Sequence, residues 1–230
     1  MPDRELRIRV LLDVVEAASG SGPTVVDLGC GPGTVALRLL DRMPRAHVIA
    51  VDIDPVLLTI ASATCAGDDR VRIVRADLRN PAWVDGLPEP QVDAVLTATA
   101  LHWFPQDAVR RLYRDLAVLV RWGGVVAHTE HMPVADLPRL GPALAEIEQQ
   151  RRIGRNDGQA RWDAWWEQAS REPTLQPALA QRQAVFETSY PTEEFSPPAD
   201  WHMAALAGAG FTEVGVVWRS GGGAVVAAVR

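Results

Sequence analysis

A short β-branched run, Thr24–Leu28, passes directly into three glycines at alternate positions, Gly29, Gly31 and Gly33, and then into a helical pattern over Val35–Met43. A strand, a tight turn and a helix in immediate succession open an α/β sheet and leave little room for any other fold. Glycine lets the backbone turn sharply and approach a bound group closely. The helix behind it offers unpaired N–H groups. The spacing decides what such a turn can hold. A dinucleotide fingerprint requires G-x-G-x-x-G, with a pyrophosphate on the helix N-terminus. Here Thr34 occupies the position of the third glycine, and Asp27 lies two residues ahead of the first. An anion there repels a diphosphate and suits a cationic group.

The rest of the chain repeats the alternation. Arg4–Ala18 has a helical period and ends at the Ser19–Pro23 break. Strands are predicted at His47–Val51, Val71–Val74, Val92–Thr97 and Val125–Thr129. Pro55 opens a helix that runs to about Ala66, and a further helix over Ala108–Val120 ends at Gly123-Gly124. This β-α-β-α order predicts a parallel sheet with helices on both faces and right-handed crossovers. From Met132 to Pro198 prolines recur and no buried-strand run is found, while Leu137–Ile153 and Arg161–Ser170 look helical. We expect one domain over residues 1–230, with 132–198 as a helical insertion above the carboxyl edge of the sheet. A helix at Asp200–Ala209 and two runs, Phe211–Arg219 and Ala224–Val229, then form a closing antiparallel hairpin.

Composition narrows the function. A length of 230 residues suits a single core. No apolar run approaches the roughly 18 residues that span a bilayer, and the N-terminal residues have no signal-peptide apolar core. The expectation is a cytoplasmic protein with no membrane partner. A net charge of −6 argues against nucleic acid as partner. All 23 basic residues are arginine, which excludes a lysine base or Schiff-base chemistry. Cys30 and Cys65 cannot make a thiolate metal site alone, and no metal is expected.

Two further acids stand at strand ends. Val51-Asp52-Ile53-Asp54-Pro55 places Asp52 where a carboxylate can accept both hydroxyls of a ribose, while Asp54 caps the next helix. Arg75-Ala76-Asp77-Leu78 places Asp77 where it can accept from an exocyclic amine, with the Leu78 backbone as a donor. Any one of Asp27, Asp52 and Asp77 could be a turn residue. All three at successive strand ends form a set.

Taken in order, VVDLGCGPGTVALRLL, AVDIDP, VRIVRADL, VDAVLTATALHWFP, LVRWGG and AGFTEV resemble the class I S-adenosylmethionine-dependent methyltransferases. The resemblance implies a Rossmann-like sheet of seven strands, mostly parallel, with the last antiparallel and the insertion between strands 5 and 6. It also implies S-adenosylmethionine as cofactor. The amino-acid end of that cofactor would lie on Asp27, Gly29, Cys30, Gly31 and Gly33. Its ribose would lie on Asp52 and Ile53, and its adenine on Asp77 and Leu78, with Ala98 nearby. Relatives often carry an N-terminal segment that closes over the cofactor. With few residues ahead of the first helix, that cover would come from the insertion or a partner chain, or be absent.

Methyl transfer from a sulfonium is an in-line displacement in which positioning does much of the work. A base is needed only where the acceptor must lose a proton. The Ala100-Leu101-His102-Trp103-Phe104 stretch resembles the branch of the family that acts on small molecules, which includes trans-aconitate methyltransferase and acid O-methyltransferases. It lacks the Asn/Asp-Pro-Pro-aromatic turn of base-amine enzymes. His102 has two readings, a wall of the cofactor pocket or a proton acceptor near pH 7, and the wall is the commoner use. Trp103, His128 and His131 are candidate acceptor contacts, although structural roles for the two histidines are commoner. Trp162, Trp165 and Trp166 share one helix face; the expected use is contact between insertion and sheet, the other a lid over a flat acceptor. Arg151, Arg152 and Arg155 either clamp a carboxylate or form a solvated face. The rival functions are a nicotinamide dehydrogenase, a propylamine transferase or regulatory binder, and a methyltransferase acting on a macromolecule.

Overall fold

The computed structural model describes residues 3–134, 137–153, 158–187 and 194–230. Arg155 lies outside the described residues, as do the side chains of Arg151 and Arg152. Seven strands form one sheet in the order β3-β2-β1-β4-β5-β7-β6. β1 (Thr24–Leu28) pairs in parallel with β2 (His47–Asp52) and with β4 (Val92–Ala98). β3 (Val71–Arg75) adds in parallel outside β2, and β5 (Val120–His131) outside β4. β7 (Gly223–Val229) runs antiparallel to both β5 and β6 (Glu213–Ser220). Strand order therefore reverses between β1 and β4, and such a switch point opens a crevice at the carboxyl ends.

Alternation along the strands supplies a core on each face. On one face α1 (Arg4–Ser19) and α2 (Thr34–Arg42) cover Val25, Val48, Ala50, Ala94 and Leu96. On the other, α4 (Gln106–Leu119) and α8 (Ala199–Ala209) cover Val26, Ile49, Val95, Val126 and Val226. The buried apolar stripe of α1 is Ile8, Leu11, Leu12 and Val15, and Leu6 is exposed.

The start of β5 and the helix content after it differ from the sequence reading. The Gly123-Gly124 pair does not separate helix from strand; β5 already begins at Val120 and carries an irregularity there. Gly124 accommodates this because an added Cβ would lie 2.6 Å from the Asp93 carbonyl oxygen. Asp93 anchors the bend by accepting from the Thr24 amide and from Arg121. The segment between β5 and α8 holds a third helix besides α5 (Leu140–Ile153) and α6 (Gly158–Ser170), namely α7 (Gln176–Phe186). Its proline lies in the first turn, where the missing N–H costs nothing, so it opens the helix rather than breaking it.

Candidate active site

The turn after β1 is fastened before any side chain is considered. The Gly29 and Cys30 amides both donate to the Val51 carbonyl, at 2.8 and 3.1 Å. Gly29, Gly31 and Gly33 all have positive φ, at 68°, 55° and 82°. Gly29 is also pressed from outside, since a Cβ on it would lie 2.4 Å from the Cβ of Ala100. The glycine turn and the turn after β4 are thus in contact. The Cys30 thiol is buried and held protonated by burial, then by the charges of Asp27 and Asp52.

Asp27 and Asp52 come together behind this turn. Both project on the α1/α2 face, in alternation with Val25 on β1 and with Val48 and Ala50 on β2. Asp27 is 2% exposed and accepts from the Ala36 amide, but its Oδ2 has no partner among the described residues. Burial, then the charge of Asp52, pushes its pKa up to about 7. Asp52 accepts from the Gly31 amide at 2.8 Å and from the Asp54 amide at 2.9 Å. Burial raises its pKa as well, and the Ile53 amide also points to it. Asp54 caps α3 (Pro55–Thr64), as its position before Pro55 predicts.

The β3 turn is tied to the same edge, because the Ala76 amide donates to the Asp52 carbonyl at 3.0 Å. Asp77 is one-third exposed and pairs with Arg79 at 2.8 Å. Burial would raise its pKa, but the hydrogen bonds from Arg79 outweigh that and lower it. The Leu78 side chain is buried in the core beside it, which fixes the turn. Strands β3, β2 and β1 are neighbours in the sheet, so the three acids line one edge in sequence.

At the neighbouring strand end, β4 finishes at Ala98, and Thr99 follows with φ 55°, the one positive-φ residue besides glycines among the described residues. Its amide donates to the Thr129 carbonyl at 2.9 Å. The turn carries His102 against Glu130 of β5, with Nδ1 3.1 Å from Oε1. Glu130 Oε2 accepts from the Leu101 and His102 amides, at 3.0 and 3.3 Å. Burial alone would push the His102 pKa down, but the hydrogen bond and charge of Glu130, with Glu194 beyond, raise it. Trp103 lies beside His102 with ring centroids 4.7 Å apart and is 44% exposed. Sequence reasoning missed Glu130. It lies one residue past the predicted strand Val125–Thr129, and only because β5 runs on to His131 does period-two alternation put it on the face of His128, one step nearer the edge.

Of the other two candidate histidines, one is buried in the core and the other is exposed. His128 is fully buried, packed edge-on against His202 at 4.5 Å, and His202 Nδ1 meets the Tyr113 hydroxyl at 2.8 Å. Its place in mid-strand faces α4 and α8, which removes it from contact with an acceptor; burial, then His202, holds its pKa well below the ordinary value. His131 is exposed, with its ring over Gly222 of the closing hairpin. The tryptophan face of α6 meets α3 rather than the sheet: Trp165 and Trp166 pack with Val56, Ile60 and Leu175. Trp162 stacks on Trp165 with planes 3° apart. Arg182 of α7 completes the contact by donating to Asp54 at 2.6 Å beneath the Trp166 ring. A groove of about 510 Å³ between α3, β3 and α7 shares none of the strand-end acids. Among the described residues no group of three or more His, Cys, Asp or Glu could hold a metal.

A methyltransferase-domain family model matches residues 25–124, the stretch that holds the glycine turn, all three acids and the His102 turn. The matched stretch is less than half of the chain and is similar there to methyltransferase domains. The chain is 38% identical over 124 residues to a trans-aconitate 2-methyltransferase of Azoarcus sp. strain BH72, covering 54% of this chain and 42% of that protein. To the protein of the same name from Escherichia coli O7:K1 it is 35% identical over 126 residues, 55% of this chain and 43% of that one. The chain thus spans less than half the length of these relatives. Among solved structures, the S-adenosylmethionine-dependent methyltransferase SibL in its apo form aligns with TM-score 0.65 at 23% identity, covering 98% of this chain and 55% of that one. An O-methyltransferase family protein from Burkholderia thailandensis aligns at 0.62 and 20%, covering 98% and 57%. These two likenesses bear on the fold.

Proposed function

We propose that the chain transfers a methyl group from S-adenosylmethionine to a small-molecule acceptor, a carboxylic acid in the first instance. The observation that carries this is the half-partnered, buried carboxylate of Asp27 beside Asp52 at the glycine turn. A buried anion with one oxygen unmatched is costly unless a cation completes it. An α-ammonium group fits. Asp52 would accept the ribose hydroxyls with the lone pairs that Gly31 and Asp54 leave free, and Asp77 with the Leu78 amide would hold the adenine. Gly29, Cys30, Gly31 and Gly33 shape the cradle, and Ile53 and Ala98 flank it. When bound, the cofactor supplies an electrophilic methyl on a sulfonium whose leaving group is neutral. The residues of the chain have the remaining task of holding an acceptor oxygen in line with it and excluding water.

The names of the relatives favour an acid acceptor, and an ionised carboxylate suits the absence of lysine, since it needs no strong base. Residues 132–198 are read as the acceptor-side insertion of a single domain; α6 and α7 dock on α3, and the Phe195 amide donates to the His102 carbonyl at 2.9 Å. Trp103 and His131 remain candidates for contact with the acceptor from the rim. A cytoplasmic setting agrees with this reading, and among the described residues no helix is long and apolar enough to cross a membrane. Calorimetry with S-adenosylhomocysteine and with NAD tests the cofactor, and mass-detected methyl esters from a panel of carboxylic acids test the acceptor. Binding of NAD in place of S-adenosylhomocysteine would overturn the reading.

A further inference from the structure

We propose that Glu130 is a positioning residue that holds His102 so that its Nε2–H receives a carboxylate of the acceptor other than the one that takes the methyl group. The inference rests on the reading that the acceptor is a carboxylic acid, and it extends that reading to an acceptor with at least two carboxylates. Glu130 is nearly inaccessible, with 3% of its side chain exposed. Its two oxygens are committed in different directions, Oε2 to the amides of Leu101 and His102 and Oε1 to the His102 ring. A carboxylate so fastened cannot turn away, and because it only accepts, Nδ1 must carry the proton. The ring is thereby fixed along one edge. Its other nitrogen, Nε2, has no partner among the described residues, and 17% of the side chain is open to solvent beside the exposed Trp103.

The dyad adjoins the methyl donor's cradle. Ala100, two residues before His102, touches the position a Cβ would take on Gly29. The strained turn at Thr99 aims the segment there, and a non-glycine residue persists in that conformation only when its surroundings impose it. Glu130 from β5 and Glu194 from the segment ahead of α8 are the charged groups facing the ring among the described residues. Both favour the imidazolium. Glu194 is exposed and screened by solvent, whereas Glu130 is compensated by two amides and the ring itself.

The chemistry selects the role. An acceptor carboxyl with a pKa of about 4 has already lost its proton near pH 7, so a base beside it has nothing to remove. A donor on the reacting oxygen would reduce its nucleophilicity, so the imidazolium serves best on a second carboxylate. A charge-assisted hydrogen bond of this kind changes affinity by about 10-fold to 100-fold.

The test uses the full chain and the probe propane-1,2,3-tricarboxylate, with butyrate as a single-charge control. Its readouts are the His102 Cε1–H resonance and calorimetric affinity from pH 5.5 to 8.5, with and without S-adenosylhomocysteine. The expected results are that the tricarboxylate binds more tightly than butyrate, shifts the His102 resonance and weakens as pH rises through the His102 titration. His102→Gln should lose about 10-fold or more. Glu130→Gln should lower the His102 titration and the probe affinity together, while Glu130→Asp, which keeps the charge on a shorter arm, should restore part of both. S-adenosylhomocysteine affinity should stay within about 2-fold in all three variants. Tricarboxylate binding that is absent, or indifferent to His102 or to pH, would overturn the proposal, as would a His102 titration unmoved by the Glu130 variants. Failure of S-adenosylhomocysteine to bind would instead sink the cofactor reading, and the probe and resonance measurements made without it still decide the dyad.

Discussion

Replacing Asp27 with asparagine keeps the shape of the side chain and removes a charge that burial disfavours. In the folded chain the carboxyl titrates near 7, pushed up first by burial and then by Asp52. In the unfolded chain it titrates near 3.9. Between those values the folded state holds a proton that the unfolded state has released, so the contribution of Asp27 to stability is greatest at low pH and declines until pH passes about 7. From pH 5 to pH 7 this covers two units, or about 3 kcal/mol at 1.36 kcal/mol per unit. Asparagine has no such dependence. Urea denaturation of both proteins at pH 5, 6, 7 and 8 should therefore show the variant gaining about 3 kcal/mol relative to wild type across that interval, with the difference level above it. The same substitution should weaken S-adenosylhomocysteine by roughly 1.5–3 kcal/mol, the worth of a charge-assisted hydrogen bond to an ammonium. Parallel stability curves, or unchanged cofactor affinity, would refute the reasoning that a buried, cation-seeking carboxylate sits at the glycine turn.

Other consequences follow from the same geometry. Asp52→Ala should weaken S-adenosylhomocysteine by roughly 1.5–3 kcal/mol in calorimetry, since it removes the ribose acceptor and frees the Gly31 amide it holds. Gly29→Ala should destabilise the protein by about 2–4 kcal/mol in thermal unfolding, combining a positive φ with a clash against Ala100. Adding Ala100→Gly should return only the clash portion. His202 is held neutral to about pH 4 by burial. Because the unfolded chain takes up that proton below about 6.5, stability should fall as pH drops from 6.5 to 4, by about 3 kcal/mol for this residue. Comparison of wild type with His202→Gln by urea titration at pH 4.5, 5.5 and 6.5 isolates the term.

The parts of the fold legible in the sequence are those where local pattern and global architecture agree. The β1 run, the glycine spacing and the acid at each strand end all depend on short-range geometry, and the observed sheet order sets β3, β2 and β1 side by side. The hairpin β6–β7 was equally readable, with glycines at its turn. The parts that escaped depend on contacts distant in sequence. Glu130 becomes significant only when β5 lies beside β4 and the His102 turn folds over it. His128 reads as a candidate acceptor contact until α8 brings His202, 74 positions later, against it. α7 was hidden by Pro177, whose effect depends on whether it falls in the first turn or in the interior of a helix. The tryptophan stripe was correctly read as a contact face, but its partner, α3, is set by the docking of Arg182 on Asp54.

The claim on which the rest depends is that Asp27, Asp52 and Asp77 hold different parts of one nucleoside. A crystal structure with S-adenosylhomocysteine bound tests it directly. It should show the ammonium within hydrogen-bond reach of Asp27, the ribose hydroxyls on Asp52 and the adenine between Asp77 and the Leu78 amide. A nucleoside lodged elsewhere, such as the groove between α3 and α7, with the three carboxylates untouched, would contradict it.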